Sequence, residues 1–176
     1  MNFCSHCASP VTLEIPDGDN RLRYICTACH KIHYQNPRVI VGCLPEFEDK
    51  ILLCRRAIEP RYGLWTLPAG FMENGETVED GAMRETMEEA NASVEIIDLF
   101  TVFSVPHINQ VLMLFRAKLL NLDFYAGSES LEVQLFSEAE IPWDDLAFSM
   151  IKDSMHLYFH DKQRGQFGIH RQKLLK

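Results

Sequence analysis

Three glutamates, Glu85, Glu88 and Glu89, have the spacing that brings carboxylates together on one face of a helix. Residues i, i+3 and i+4 are neighbours on a helix surface. The three belong to the stretch 70–92, which holds seven acidic residues and one basic residue, a net charge of −6 in a chain whose total is −8. Clustered carboxylates are the ligands that a hard divalent cation prefers.

The position of each acid along this predicted helix separates stabilising charges from unfavourable ones. Thr77 is the predicted N-cap, so Glu79 and Asp80 face the positive end of the helix dipole. Glu88 and Glu89 fall in the last turn, where the dipole disfavours anions. A solvated charged face is the alternative explanation, but such a face interleaves lysines four residues away, and none is present here. The pattern therefore favours a cation-binding site.

Four cysteines near the N-terminus form two C-x2-C pairs, Cys4 with Cys7 and Cys26 with Cys29. This spacing is typical of a zinc site with four thiolate ligands. A segment of about 30 residues buries too little apolar surface to fold alone, so a bound metal supplies the missing stability. Two disulfides are the alternative, and they would require an oxidising compartment.

The composition indicates a folded protein and argues against two classes of partner. The 176 residues are 47% hydrophobic, which is enough for a core. A net charge of −8 argues against a general nucleic-acid or membrane-surface binder, because such proteins need basic patches. The sequence shows no apolar run of membrane-spanning length and no signal-peptide pattern. We therefore expect a cytoplasmic protein with no nucleic-acid and no membrane partner.

The chain divides into three predicted parts. We predict a zinc ribbon over residues 1–34, a main domain over 35–163, and a basic, loosely held tail over 164–176. In the main domain, strands precede a first helix, further strands follow it, and a second helix comes last. This order indicates an α/β fold with a mixed sheet between helices.

Within the main domain, hydrophobic periodicity locates the individual elements. A β-hairpin is predicted near residues 38–56, a helix from Thr77 to Ala90 and an amphipathic helix from Trp143 to His160. On the first helix, Met83 and Met87 are expected to pack on the sheet, opposite the glutamate cluster.

The spacing around the glutamates resembles the Nudix box, G-x5-E-x7-R-E-U-x-E-E-x-G-U, in which U is a bulky aliphatic residue. Its glycine and all its charged positions are matched, by Gly70, Glu76, Arg84, Glu85, Glu88 and Glu89. The departures are Thr86 and Ala92 at apolar positions, and Asn91 where the family has glycine. Asparagine tolerates the left-handed backbone conformation in which such a helix ends.

The resemblance implies an α/β/α sandwich that binds Mg²⁺ or Mn²⁺ and hydrolyses a nucleoside diphosphate linked to another group. The ligands that it implies are Glu85, Glu88, Glu89 and the carbonyl of Gly70. Arg84 is expected to orient a box glutamate through a charge-assisted pair, and Glu76 to support the metal site.

Outside the box, four further residues are candidates for the site. In related enzymes a glutamate in this later region completes the metal site or acts as a base, and Glu132 matches that pattern better than Glu129 does. Arg55 and Arg56 follow a strand and alternate between its faces, so one of them is expected to contact a substrate phosphate.

A zinc ribbon joined to this domain resembles a subgroup that includes the NADH pyrophosphatases. Their second motif, S-Q-P-W-P-F-P-x-S, is absent from the corresponding stretch FTVFSVPHINQVLMLF. The chain is most similar to plant-type members, which implies a homodimer that hydrolyses FAD to FMN and AMP, or ADP-ribose. The alternatives are a nucleotide-sensing or docking module without catalysis, and a housecleaning nucleoside triphosphate pyrophosphatase.

Overall fold

The computed structural model describes residues 1–174, which fall into two compact units divided between Pro37 and Arg38. The first unit is an antiparallel sheet of β1 (Val11–Glu14), β2 (Arg23–Cys26) and β3 (Ile32–His33), in that order. It carries the two cysteine pairs.

The second unit is built on one mixed sheet. Its elements are β4 (Arg38–Phe47), β5 (Lys50–Arg56), β6 (Trp65–Thr66), β7 (Ala69–Phe71), α1 (Val78–Ala90), β8 (Val94–Val105), β9 (Gln110–Leu119), β10 (Ser130–Phe136), α2 (Ser149–Arg164) and β11 (His170–Lys173), with short 3-10 helices at Pro106–Ile108 and Glu138–Glu140. The strand order is β10-β5-β4-β9-β8-β11, with β6 paired to β5 and β7 to β4. The β4–β9 and β8–β11 pairs are parallel and the other pairs antiparallel.

The two helices cover opposite faces of this sheet, as the alternation along β4 shows. Val41 and Cys43 pack in one cluster with Ala82 of α1. Leu44 packs in another cluster with Ile151 of α2. Because neighbouring side chains of a strand point to opposite faces, each helix shields one side. The α/β/α arrangement with a mixed sheet that the sequence predicts is confirmed.

Helix α1 begins where the sequence predicts, because the hydroxyl of Thr77 accepts a hydrogen bond from the amide of Asp80 at 3.1 Å. Its buried face is made of small residues, including Ala82 and Thr86, which are fully buried. The expectation that Met87 packs on the sheet is wrong, since its side chain is 43% exposed. The small residues let the helix lie close to the strands.

Helix α2 begins later than predicted and continues further, from Ser149 to Arg164. Phe148 has an extended backbone, with φ −137° and ψ 138°, and ends the preceding loop. Pro142 starts that loop with a turn, in which the amide of Asp145 donates to its carbonyl at 2.9 Å. Among residues 1–174, no helix is both long and apolar enough to cross a lipid bilayer.

The prediction of a loosely held tail is wrong for residues 170–173, which form β11 beside β8. Just before this strand, the ring of Phe167 lies 3.4 Å below the guanidinium carbon of Arg116. Arg116 is itself buried and ion-pairs with Glu46 at 3.2 Å and with Asp98 at 3.4 Å. The C-terminal segment is therefore attached to a charged network inside the fold.

We expect Phe167→Ala to lower the free energy of unfolding by about 2 kcal/mol, because it removes a half-buried ring and a cation–π contact. Urea unfolding measures this change. Ile169→Ala is the matched control in the same segment, since Ile169 is 60% exposed. Its effect should stay within about 0.5 kcal/mol. Equal effects of the two substitutions would show that Phe167 does not hold the segment.

Candidate active site

A cavity of about 620 Å³ lies in the second unit, beside α1. Its acidic lining residues include Glu85, Glu88, Glu89 and Glu129, and the arginines that line it are Arg56 and Arg84. Its apolar lining includes Ile40, Ile58, Phe71, Ile108, Leu112, Phe148, Met150 and Ile151. The size is that of a small-molecule site, and the mixture of charged and apolar walls suits a ligand with both kinds of group.

Arg84 is the centre of an ion-pair network on the surface of α1. Its Nε and Nη2 donate to the two carboxylate oxygens of Glu76 at 3.0 and 2.9 Å. Its Nη1 donates to Glu85 at 2.7 Å and to Glu88 at 3.1 Å. The hydrogen bonds from Arg84, and then one from the amide of Glu73, lower the pKa of Glu76 to about 2. A guanidinium in this position orients three carboxylates at once.

Glu89 differs from its neighbours because its carboxylate is buried without a basic partner. Its side chain is 6% exposed, and its Oε2 accepts no hydrogen bond. Burial, followed by the nearby charge of Glu85, raises the pKa of Glu89 to about 8. Burial also raises the pKa of Glu85, against the opposing effect of Arg84. Both pKa shifts have the same main cause, which is the free-energy cost of holding negative charge away from water.

An orphaned carboxylate oxygen beside further carboxylates fits a divalent cation in charge and in ligand type. Arg84 engages Glu85 and Glu88 directly, so those carboxylates would exchange part of these contacts for a cation. In keeping with this, the carboxylate oxygens of the glutamates do not all lie within 4.8 Å of one another. Among the described residues, only the four N-terminal cysteines form a set of three or more possible metal ligands that are this close together.

Gly70 supports the site through the absence of a side chain. It lies in β7, paired with Val41 of β4. A Cβ atom at Gly70 would lie 2.5 Å from Oε1 of Glu85, which is closer than packing allows. Glycine therefore lets the Glu85 carboxylate rest directly against the strand backbone, next to the Gly70 peptide.

The structure places Glu129, and not Glu132, in the cavity. Glu132 lies outside the lining, with half of its side chain exposed and the Nη1 of Arg55 at 3.7 Å. Glu129 is close enough to contribute to the raised pKa of both Glu85 and Glu89. The preference for Glu132 over Glu129 is therefore corrected on the basis of this placement.

The two candidate arginines are separated in the same way. Arg56 lines the cavity, and its Nε donates to the carbonyl of Pro60 at 3.0 Å while its guanidinium lies 5.3 Å from the ring centre of Phe148. Arg55 points away and donates to the carbonyl of Gly63 at 2.9 Å. Only Arg56 is placed to meet a ligand in the cavity.

A β-bulge lies at the start of β10, between the two candidate glutamates. Strand β10 pairs with β5 through Ser130 opposite Arg56 and Glu132 opposite Arg55, with a register shift between them. A bulge adds one residue to a strand, so the period of two no longer tells which side chains share a face. One feature of the sequence does favour Glu129, which lies at the end of the loop before β10. Loops carry site residues more often than strand interiors do.

The four cysteines of the first unit come together as predicted. The Sγ atom of Cys7 lies 3.4 Å from that of Cys26 and 3.5 Å from that of Cys29. The Sγ atoms of Cys4 and Cys29 are 3.8 Å apart. Tetrahedral ligands at about 2.3 Å from zinc are separated by roughly 3.8 Å, so the thiols fit the metal. Nε2 of the buried His33 lies 3.3 Å from Sγ of Cys4. A side chain that contacts a metal ligand in this way fixes the orientation of that ligand.

Comparison with known protein families agrees with both units. Residues 2–35 match the family model of the Nudix N-terminal zinc ribbon, and residues 36–156 match that of the NUDIX domain. A crystal structure of a NUDIX hydrolase from Nitrosomonas europaea is 61% identical and covers the whole of both chains, with a TM-score of 0.98. A crystal structure of an ADP-ribose pyrophosphatase from Streptococcus suis, 23% identical, covers 77% of this chain and 99% of that chain with a TM-score of 0.61, and shows the same fold.

Two kinds of relative are similar in sequence. An ADP-ribose pyrophosphatase from Methanocaldococcus jannaschii is 34% identical over 131 residues, which are 69% of this chain and 75% of the relative. The NAD-capped RNA hydrolase NudC from Vibrio parahaemolyticus is 31% identical over 148 residues, which are 81% of this chain and 53% of the relative. This chain spans about half the length of the NudC relatives that it matches.

Proposed function

Because this chain belongs to the Nudix family, we propose that it hydrolyses the diphosphate bond of a nucleoside diphosphate linked to another group. The observation that carries this proposal is the buried, unpaired carboxylate of Glu89, which lines a nucleotide-sized cavity together with Glu85 and Glu129. An anionic diphosphate would be repelled from these carboxylates unless positive charge came between them. The site therefore calls for a cation and an anionic ligand together.

The residues that would hold Mg²⁺ or Mn²⁺ are Glu85, Glu88 and Glu89, with the carbonyl of Gly70. When bound, such a cation neutralises the diphosphate and makes water a better nucleophile at neutral pH. Arg84 keeps the carboxylates in place, because a single guanidinium contacts Glu85, Glu88 and Glu76. Glu76 in turn keeps Arg84 fixed through two parallel hydrogen bonds.

Glu129 is the residue best placed to accept the proton of the attacking water. It lines the cavity near Glu85 and Glu89, and no ion pair engages its carboxylate among the described residues. As water adds to one phosphorus, the bond from that phosphorus to the bridging oxygen breaks. Arg56, which has no carboxylate partner in the described part of the chain, would contact a phosphate oxygen of the substrate.

ADP-ribose is supported as a substrate by the relative from M. jannaschii, whose name is ADP-ribose pyrophosphatase. FAD stays a prediction that rests on the resemblance to plant-type members. The apolar lining residues, such as Phe71 and Phe148, would hold a base or ring system in either substrate. NAD-type substrates fit less well, because the second motif of the NADH pyrophosphatases is absent.

The first unit is proposed to bind one structural zinc ion. The ligands are Cys4, Cys7, Cys26 and Cys29, which leave no coordination position for a substrate. Cytoplasmic location, homodimer assembly and the lack of a nucleic-acid partner stay predictions.

For the zinc proposal, elemental analysis of the purified protein should find about one zinc per chain, as a four-thiolate site requires. Cys26→Ser should lose the metal and lower the melting temperature, because metal binding is coupled to folding of so small a unit. Cys43→Ser is the control, since Cys43 is buried in the second unit and should leave zinc content unchanged. A Cys26→Ser protein that kept its zinc and its stability would contradict the assignment.

Glu89→Gln should abolish turnover while the protein stays folded. Without divalent cations, its melting temperature should equal or exceed that of the wild type, because the change removes a carboxyl group whose ionisation the folded protein opposes. The folded protein holds the pKa of Glu89 at about 8 against an ordinary value of 4.5, so its ionisation destabilises the wild type as the pH rises through this range. The advantage of Glu89→Gln should therefore grow between about pH 4.5 and pH 8.

Calorimetry in chelator at several pH values measures this difference, and product assays with saturating Mg²⁺ measure turnover. Glu79→Gln is the matched control, because Glu79 is an exposed glutamate in the first turn of the same helix. Normal turnover by Glu89→Gln would remove the central support for the proposed site.

The choice between the two later glutamates is tested by Glu129→Gln and Glu132→Gln. We expect the first to lower kcat by about 100-fold or more, which is the usual contribution of a general base. The second should change kcat less than threefold, since the Glu132 side chain faces Arg55 outside the cavity. The reverse result would restore the preference that the sequence suggested.

The substrate is tested with FAD, ADP-ribose, NADH, diadenosine polyphosphates and nucleoside triphosphates at equal concentration. We expect ADP-ribose or FAD to be cleaved most rapidly, with AMP as one product, and cleavage to stop when a chelator is added. Chromatography of the products measures both. Preferred cleavage of triphosphates would support the housecleaning alternative, and no cleavage of any compound would support a sensing module.

A further inference from the structure

The C-terminal end of α1 is capped by a segment that lies more than thirty residues later in the sequence. The last carbonyls of a helix have no partner within it. Here the amide of Tyr125 donates to the carbonyl of Ala90, and the amide of Gly127 donates to the carbonyl of Glu89, both at 2.9 Å. The last turn of α1 holds no basic side chain that could serve instead.

The fit between this segment and the helix depends on a glycine. A Cβ atom at Gly127 would overlap the carbonyl oxygen of Glu88. The backbone of the segment therefore lies directly on the turn that presents Glu88 and Glu89. A larger residue at this position would lift the segment away from the helix.

Asn91 makes a connection that glycine, the family residue at this position, could not make. Its backbone is left-handed, with φ 47° and ψ 33°, as the end of the helix requires. Its side-chain amide also donates to the carbonyl of Tyr125 at 3.2 Å. Tyr125 is thus held through both of its peptide groups, by Ala90 on one side and by Asn91 on the other.

The segment that Asn91 holds leads directly to Glu129. The amide of Ser130 donates to the carbonyl of Gly127 at 3.1 Å, which closes a turn around Glu129. The carbonyl of Glu129 accepts from the amide of Ala57 at 2.8 Å. The side chain of Glu129 then lies in the cavity with the glutamates of α1.

We propose that Asn91 is a positioning residue, whose side-chain amide fixes the segment 125–129 and so sets the place of the Glu129 carboxylate above α1. This inference rests on the function proposed for Glu129. Asn91 acts through that carboxylate and does not touch the substrate. Its replacement of the family glycine adds a contact while the backbone conformation is preserved.

The test uses Asn91→Gly, which is compatible with the left-handed backbone and removes the side chain together with its amide. Loss of one hydrogen bond should lower kcat for ADP-ribose with Mg²⁺ by about threefold to tenfold. KM should change by less than about twofold, because the binding surfaces are untouched. Asn91→Asp, which places a carboxylate against the Tyr125 carbonyl, should lower kcat at least as much.

A double-mutant cycle separates positioning from general stabilisation. In a Glu129→Gln background, Asn91→Gly should have no further effect on kcat, since the group that it positions is already lost. Glu48→Gly is the matched control, because Glu48 also has a left-handed backbone, with φ 57°, and does not line the cavity. It should leave kcat unchanged. An unchanged kcat in Asn91→Gly, or an equal loss in both backgrounds, would overturn the proposal.

Hydrogen exchange gives a readout that does not depend on activity. In Asn91→Gly the amides of Tyr125 and Gly127 should exchange at least several-fold faster, while those of the sheet core stay protected. Unchanged exchange would overturn the proposal, whatever the kinetics show. If Glu129→Gln kept full activity, the proposed role of Glu129 would fail and so would the effect of Asn91 on it, but faster exchange would still show that the amide holds the segment.

Discussion

The structure of the second unit depends on how one guanidinium is shared among several carboxylates. Arg84 contacts Glu76 in the loop before α1 and Glu85 and Glu88 on the helix itself. Without the Arg84 guanidinium, these three neighbouring carboxylates would repel one another and move toward water. The pairing fixes their orientation while it neutralises only part of their charge, so the helix keeps a strong negative field toward the cavity.

The burial of Glu89 follows from its place on the stripe of small residues with which α1 packs against the sheet. Ala82, Thr86 and Ala90 form the stripe that faces the sheet, at i, i+4 and i+8. Glu89 is at i+7, which is the remaining position on such a stripe. Since small side chains allow a close approach, a residue in this position is enclosed by its neighbours. The geometry that packs the helix is therefore also the geometry that buries its carboxylate.

The parts of the fold that could be predicted are those set by local chemistry. The N-cap at Thr77, the hairpin before Gly70 and the cysteine knuckles follow from residue types at short spacing. The parts that could not be predicted depend on contacts between distant segments. Phe167 lies on Arg116, and nothing near residue 167 indicates a partner fifty residues earlier. The bulge before Glu132 likewise follows from pairing with β5 and leaves no mark in the hydrophobic pattern.

The cost of this arrangement explains why cation binding and stability should be connected. A buried carboxylate without a partner costs free energy in the folded state, and the unfolded chain does not bear this cost. A cation that binds only the folded protein offsets it, and the stabilisation increases with the cation concentration relative to its dissociation constant. Substitution of Glu89 and addition of a cation then reduce the same free-energy cost, that of the buried Glu89 carboxylate. The charged carboxylates that make the site reactive must be held in place by the rest of the fold. Arg84, Gly70 and the capped end of α1 do this.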